Sequence, residues 1–154
     1  MNKYAIFSDI DGTLVSFKTH RIPESAVLAL TDAHKRGHRF YISTGRPLCF
    51  INNLKQVEHL IDGYITTNGA YCFVGEKEVY CRCISSEDVQ KMLGFSDQYN
   101  FPCILVGERT VAVYHNNSEV NNVFYGELGV AGLDKAPSIK ALKGQRILQL
   151  TPFI

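Results

Sequence analysis

The stretch Tyr4–Phe17, YAIFSDIDGTLVSF, decides how this chain is read. An apolar, aromatic-rich run ends at Asp9 and Asp11, two aspartates separated by one residue, and Gly12 and Thr13 follow at once. A turn with a capping aspartate is one explanation, since Asp-Gly is a common turn pair. A site that handles phosphate and metal is the other. Asp9 follows Ile6-Phe7-Ser8, where desolvation is expected to begin. Uncompensated charge is costly there. A divalent cation would offset it, and hard oxygen ligands suit magnesium. One carboxylate can attack a phosphorus centre while the other carries protons. Gly12 lets the backbone bend close to a phosphate, and neighbouring amides can point at its oxygens.

The residues that follow supply a grammar around that strand. In IPESAVLALTDAHKRG, Ala26, Val27, Leu30 and Ala33 fall on helical spacing. Pro23 suits the first turn, and Lys35-Arg36-Gly37 places basic residues and a stop at the carboxyl end. HRFYIST is a second strand ended by Gly45, PLCFINNLKQVEH a second helix starting at Pro47, and LIDGYITTNGAY a third short strand between turns. Strand, helix, strand, helix, strand predicts a parallel sheet with crossover helices, whose ligands bind beyond the carboxyl ends of the strands. Asp9, Asp11, Thr44 and Asn68 all fall at such ends. The Thr44 hydroxyl can donate to a phosphoryl oxygen, Gly45 permits close approach, and Arg46 is permanently charged.

After residue 69 the pattern changes. AYCFVGEKEVYCRCI reads as a hairpin around Gly75-Glu76-Lys77, and SSEDVQKMLGFSDQYN as a helix capped by Ser85 or Ser86. PCILVGERTVAVYHN is a second hairpin turning near Gly107, SEVNNVFYGELG a weaker helix, and QRILQLTPFI a last strand. A domain boundary is expected near Ala70, with an α+β module after it.

The bulk numbers fit a soluble protein with a real core: 154 residues, 45% hydrophobic and 20% charged. A net charge of +1, from 16 basic and 15 acidic residues, gives no argument for nucleic acid or an anionic membrane as partner. No apolar run approaches a membrane span, and the amino terminus lacks the pattern of a signal peptide. Five cysteines without C-x-x-C spacing read as buried thiols of a reduced, cytoplasmic protein.

The combination of DIDGTL, STGRP and TTNGA at three successive strand ends resembles the haloacid dehalogenase superfamily, and within it the Cof-type phosphatases. The resemblance implies an α/β fold. Residues 1–69 would be the amino-terminal part of a Rossmann-like core, and residues 70–154 an inserted α+β cap. It implies Mg2+-dependent hydrolysis of a phosphate monoester, a sugar phosphate or similar small phosphorylated metabolite. Asp9 would be the nucleophile that forms an aspartyl-phosphate, and Asp11 the acid and base. The Asp9 carboxylate and the Asp11 main-chain carbonyl would hold Mg2+. Gly12, Thr13, Thr44 and Gly45 would bind the phosphoryl group, with Arg46 and Asn68 near the substrate entrance.

Family members carry two further core motifs after the cap, a lysine and a distal acidic group. Neither occurs here: Lys140 and Lys143 precede what reads as a cap strand, and no acidic pair follows Asp134. The chain is therefore expected to be the amino-terminal portion of a longer enzyme, inactive or weakly active alone. Its first strand would be an open apolar edge inviting self-association. The alternatives are a non-catalytic fragment that self-associates, or a phosphomutase.

Overall fold

The computed structural model describes residues 2–122 and 138–154. Contacts divide the chain into two compact units, one running to Cys81 and one starting at Arg82.

In the first unit, β1 (Ala5–Ser8), β2 (Arg39–Ser43), β3 (Ile61–Thr66), β4 (Tyr71–Val74) and β5 (Lys77–Cys81) form one sheet in sequence order. The β1–β2 and β2–β3 pairs are parallel, as the sequence grammar predicts, and β3–β4 and β4–β5 are antiparallel. Helix α1 (Glu24–Lys35) provides the first crossover. It starts directly after Pro23 and stops at Arg36 and Gly37, whose φ of 82° only glycine adopts readily. Ala26, Val27 and Leu30 turn to a core of Ile10, Leu14, Val15, Phe40 and Ile42. Within the sheet β1 is an edge strand, and Phe7 on it is 56% exposed.

Two expectations differ from the structure here. The helix expected from Pro47 is replaced by two short 3-10 turns, Leu48–Phe50 and Glu58–Leu60. Ile51, Leu54, Val57 and Leu60 recur at every third position, and the last three are buried. A three-residue period keeps side chains aligned on 3-10 or irregular turns but drifts around an α-helix. Asn52-Asn53 also competes with helical backbone. The hairpin expected at the start of the second module instead extends the first sheet, because β4 pairs with β3 along its length. The division between units therefore falls at Cys81/Arg82 rather than near Ala70.

In the second unit, helix α2 (Ser86–Tyr99) is capped by the Ser85 hydroxyl, which accepts from the Asp88 amide at 3.0 Å, and ends at left-handed Asn100. Strands β6 (Cys103–Gly107), β7 (Val111–Tyr114) and β8 (Ile147–Pro152) form an antiparallel sheet with β6 in the centre. Val89 and Leu93 of α2 pack with Leu105, Ala112 and Leu142. Asn117 caps the short helix α3 (Ser118–Val120); the rest of the weaker helix expected to Gly129 lies outside the described residues beyond 122. The Arg146 guanidinium and amide hold the Glu108 carboxyl below the usual carboxylate range and pin the β6–β7 turn to the start of β8. Among the described residues no helix is long and apolar enough to cross a membrane.

The first sheet is closed so tightly at β3 that a Cβ on Gly63 would lie 2.4 Å from the Phe73 carbonyl oxygen and 3.0 Å from Val74 Cα. Both neighbours are backbone and cannot swing aside. Gly63→Ala should therefore destabilise the first unit by about 1–3 kcal/mol, read as a lowered midpoint in chemical denaturation. An unchanged midpoint would mean that β4 is free to move away.

Candidate active site

Because β1, β2 and β3 run parallel, their carboxyl ends lie along one sheet edge, and each ends in a polar turn. At the first, the chain leaves β1 through Asp9, buries Ile10 completely, and turns at Gly12 with φ 76°. The Leu14 and Val15 amides bond back to Ile10, and Gly12 N donates to Val15 O at 2.9 Å. Buried Leu14 and Val15 anchor the returning arm. Asp9, Gly12 and Thr13 are left exposed and Asp11 half-buried. The sequence places Asp9 where desolvation begins; the structure leaves it in water, because β1 is an edge strand with no strand on its outer side among the described residues. The Asp9 carboxylate makes no hydrogen bond or ion pair among those residues, so its oxygens are available to a hard cation or a phosphorus centre.

At the second strand end, Thr44 is buried and its amide donates to Ile65 O of β3 at 2.9 Å. The Thr44 hydroxyl oxygen accepts from the Arg46 amide at 3.1 Å, which leaves its proton for another acceptor. Arg46 then reaches across to the first loop. Its Nε and Nη2 donate to Asp11 Oδ2 and Oδ1, each at 2.7 Å, and Nη1 donates to Phe50 O at 3.0 Å. The pair is bidentate and only partly wet, with side-chain exposures of 29% for Arg46 and 36% for Asp11. Such fork-to-fork pairs add geometric definition to their Coulomb energy.

At the third, Thr67, Asn68 and Gly69 form a single tight turn with φ of 51°, 55° and 88°. The Thr67 amide donates to Arg46 O at 3.1 Å and the Asn68 amide to Thr44 O at 3.3 Å. A Cβ on Gly45 would lie 2.9 Å from Asn68 Oδ1, so the missing side chain is what admits Asn68.

The structure thus brings Asp11, Thr44, Gly45, Arg46 and Asn68 into one bonded cluster. Asp9, Gly12 and Thr13 stand on the adjoining loop. Two contributors escape sequence reasoning. Arg46, expected only near the entrance, clamps Asp11, and Thr67 carries the third loop's link to it. The spacing between Asp11 and Arg46 encodes no contact, and TTNG offers no sign that the second of its two buried threonines is the left-handed one. Among the described residues no three His, Cys, Asp or Glu side chains cluster as a metal centre. Magnesium needs no such cluster, since it keeps several waters and takes one or two carboxylates beside substrate phosphate. An exposed, unengaged Asp9 carboxylate fits that donor set.

Residues 6–151 match the family model of haloacid dehalogenase-like hydrolases. Among solved structures, the subclass IIB sugar phosphatase BT4131 shares 46% sequence identity at a TM-score of 0.79, with 99% of this chain and 59% of that one covered. BT1666 of Bacteroides thetaiotaomicron, a phosphatase of the haloalkanoate superfamily, shares 25% identity at a TM-score of 0.79 over 100% of this chain and 56% of its own. YkrA of Bacillus subtilis (strain 168) is 25% identical over 111 residues, 72% of this chain and 42% of YkrA. The chain therefore spans less than two thirds of the length of these relatives.

Arg46→Ala would strand a half-buried carboxylate and cut the tie between the first two loops. The first unit should lose about 1–2 kcal/mol, allowing for partial solvent screening. Arg46→Lys should recover less than half of that, because an ammonium cannot present the planar fork. Denaturation midpoints of the three proteins check this; full recovery by lysine would reduce the pair to simple charge proximity.

Proposed function

Since the chain belongs to the haloacid dehalogenase-like hydrolase family, we propose that its first unit carries the nucleophile half of a phosphate monoester hydrolase. The substrate would be a sugar phosphate or similar small phosphorylated metabolite. The observation that carries the reading is the meeting of two loops. An exposed aspartate and a clamped aspartate leave β1 beside the Thr44-Gly45-Arg46 turn that leaves β2.

In this reading an Asp9 oxygen attacks phosphorus, the P–O bond to the leaving alcohol breaks, and Asp11 gives that alcohol a proton. Asp11 then takes a proton from the water that cleaves the aspartyl-phosphate and regenerates Asp9. For the first step Asp11 enters as the neutral acid, its proton on a lone pair left beside the Arg46 fork, and the proton taken from water restores that form. The Thr44 hydroxyl and the loop amides around Gly12 and Thr13 hold the phosphoryl oxygens, and Gly45 allows close approach. Arg46 and Asn68 stand at the entrance. The Asp9 carboxylate and the Asp11 main-chain carbonyl would hold Mg2+, which supplies charge neutralisation of the phosphoryl group when bound. The unit from Arg82 onward serves as the cap that selects the substrate.

Hydrolysis of an aryl phosphate with Mg2+ tests the site, in this chain and in a version extended to the relatives' length. In whichever is active, Asp9→Asn should abolish turnover and Asp11→Asn slow it by on the order of a hundredfold or more. Excess chelator should stop the reaction. Normal rates for Asp9→Asn would eliminate covalent catalysis, and full activity in chelator would eliminate the metal.

The exposed edge strand favours a second reading of the chain on its own, self-association through β1. Tyr4 and Phe7 are 61% and 56% exposed there, and Phe7 stacks on Tyr41 at 5.0 Å. Light scattering should show a mass that rises with concentration and a monomeric Phe7→Lys variant, because an edge lysine opposes strand pairing. A monomeric parent chain would end this reading.

A further inference from the structure

The strand-end cluster contains one residue that breaks two rules at once. Thr67 is β-branched yet sits at φ 51°, a region such side chains strongly disfavour. It is also only 3% exposed, and its hydroxyl is buried without a hydrogen-bond partner among the described residues. Each feature is unfavourable. The β3–β4 turn is closed by the Ala70 amide donating to Thr67 O at 3.1 Å, which engages the Thr67 carbonyl and leaves its amide to the second loop. Backbone strain of this kind persists only where surrounding contacts over-determine it.

The contacts that over-determine it are the two amides aimed at the second loop. In the left-handed turn, Thr67 N meets Arg46 O and Asn68 N meets Thr44 O. The same Arg46 holds Asp11, and the same Thr44 presents its hydroxyl from a buried position. We propose that Thr67 is a positioning residue: its strained backbone fixes the Thr44–Arg46 loop, and through Arg46 the Asp11 carboxylate, in the geometry a phosphoryl group requires. The inference rests on the reading of Thr44 as a phosphoryl-site residue and of Asp11 as the acid and base. The hydroxyl plays no part in it; the conformation of the peptide does.

The test is a series at one position, Gly, Asn, Thr and Val, ranked by tolerance of the left-handed region. The readout is hydrogen exchange of the Arg46 Nε–H and of amides 67 and 68, followed by NMR on the whole chain. Thr67→Gly and Thr67→Asn should slow exchange about fivefold relative to the parent, since they relieve the steric cost of that backbone. Thr67→Val should match the parent or exchange faster, although it removes the orphan hydroxyl and keeps the volume. Slowest exchange in Thr67→Val would overturn the proposal, because apolar packing would then be what holds the loop. Equal exchange in all four would overturn it too.

Binding of inorganic phosphate, with Mg2+ present, provides the second measurement and should follow the same order. Exchange that follows the order while phosphate binds none of the proteins would sustain the positioning role and remove the phosphoryl-site reading. Phosphate affinity that ignores the order while exchange follows it would overturn the claim that Thr67 acts on that site.

Discussion

The site depends on one ion pair. Arg46 spends Nε and Nη2 on the two oxygens of Asp11 and Nη1 on the Phe50 carbonyl, so a single planar group ties the loop after β1 to the residues following β2. Its backbone completes the junction: the amide goes to the Thr44 hydroxyl and the carbonyl receives the Thr67 amide. Three strand ends that share no sequence neighbourhood are thereby fixed relative to one another. Partial burial makes the pair stronger than a surface salt bridge, while the remaining exposure spares it the full desolvation penalty of a buried one.

Around that pair the backbone is driven into conformations that ordinary residues avoid. Gly12, Thr67, Asn68 and Gly69 all have positive φ, and all lie at the carboxyl edge of the parallel strands. Elsewhere in the same unit α1 starts at a proline and stops at a glycine, and apolar side chains of α1, β2 and the β1 loop share one core. Among the described residues of that unit, His20 before α1 is the other non-glycine residue with a positive φ, 51°. Departures from local preference concentrate where a structure is used rather than merely held together. Asp9 sets the complementary condition, a carboxylate left exposed and unengaged among the described residues beside a carboxylate that is clamped. Two identical side chains, separated by one buried isoleucine, therefore meet different surroundings suited to different chemistry.

The second unit is built independently around its own sheet and its own apolar cluster. Its β6 strand is buried along its whole length, the helix packed against it starts at a serine cap, and the Glu108–Arg146 pair ties the β6–β7 turn to the start of β8. The first sheet gains its last two strands from a hairpin, so the change from parallel to antiparallel pairing falls inside that unit and not at its boundary.

Much of this was legible in the residues. The parallel strands, the limits of α1 and α2, the hairpin turning after Gly107 and the polar ends of β1, β2 and β3 follow from short-range chemistry: branched and aromatic runs, proline and serine at starts, glycine at stops. The misread segments show where such reasoning ends. Residues 47–59 read as a helix starting at Pro47, yet their apolar interval is three, and only packing against the sheet core settles which faces are buried. The hairpin after Ala70 looked like a new module because its pattern changes, whereas strand membership is decided by a partner elsewhere in the chain. By itself the sequence determined which side chains stand at the sheet edge, since strand length and turn residues are local properties. Only the tertiary structure decided that Arg46 clamps Asp11 and that Thr67 is forced left-handed to meet Arg46, because those contacts join residues that lie near one another only after the strands have paired.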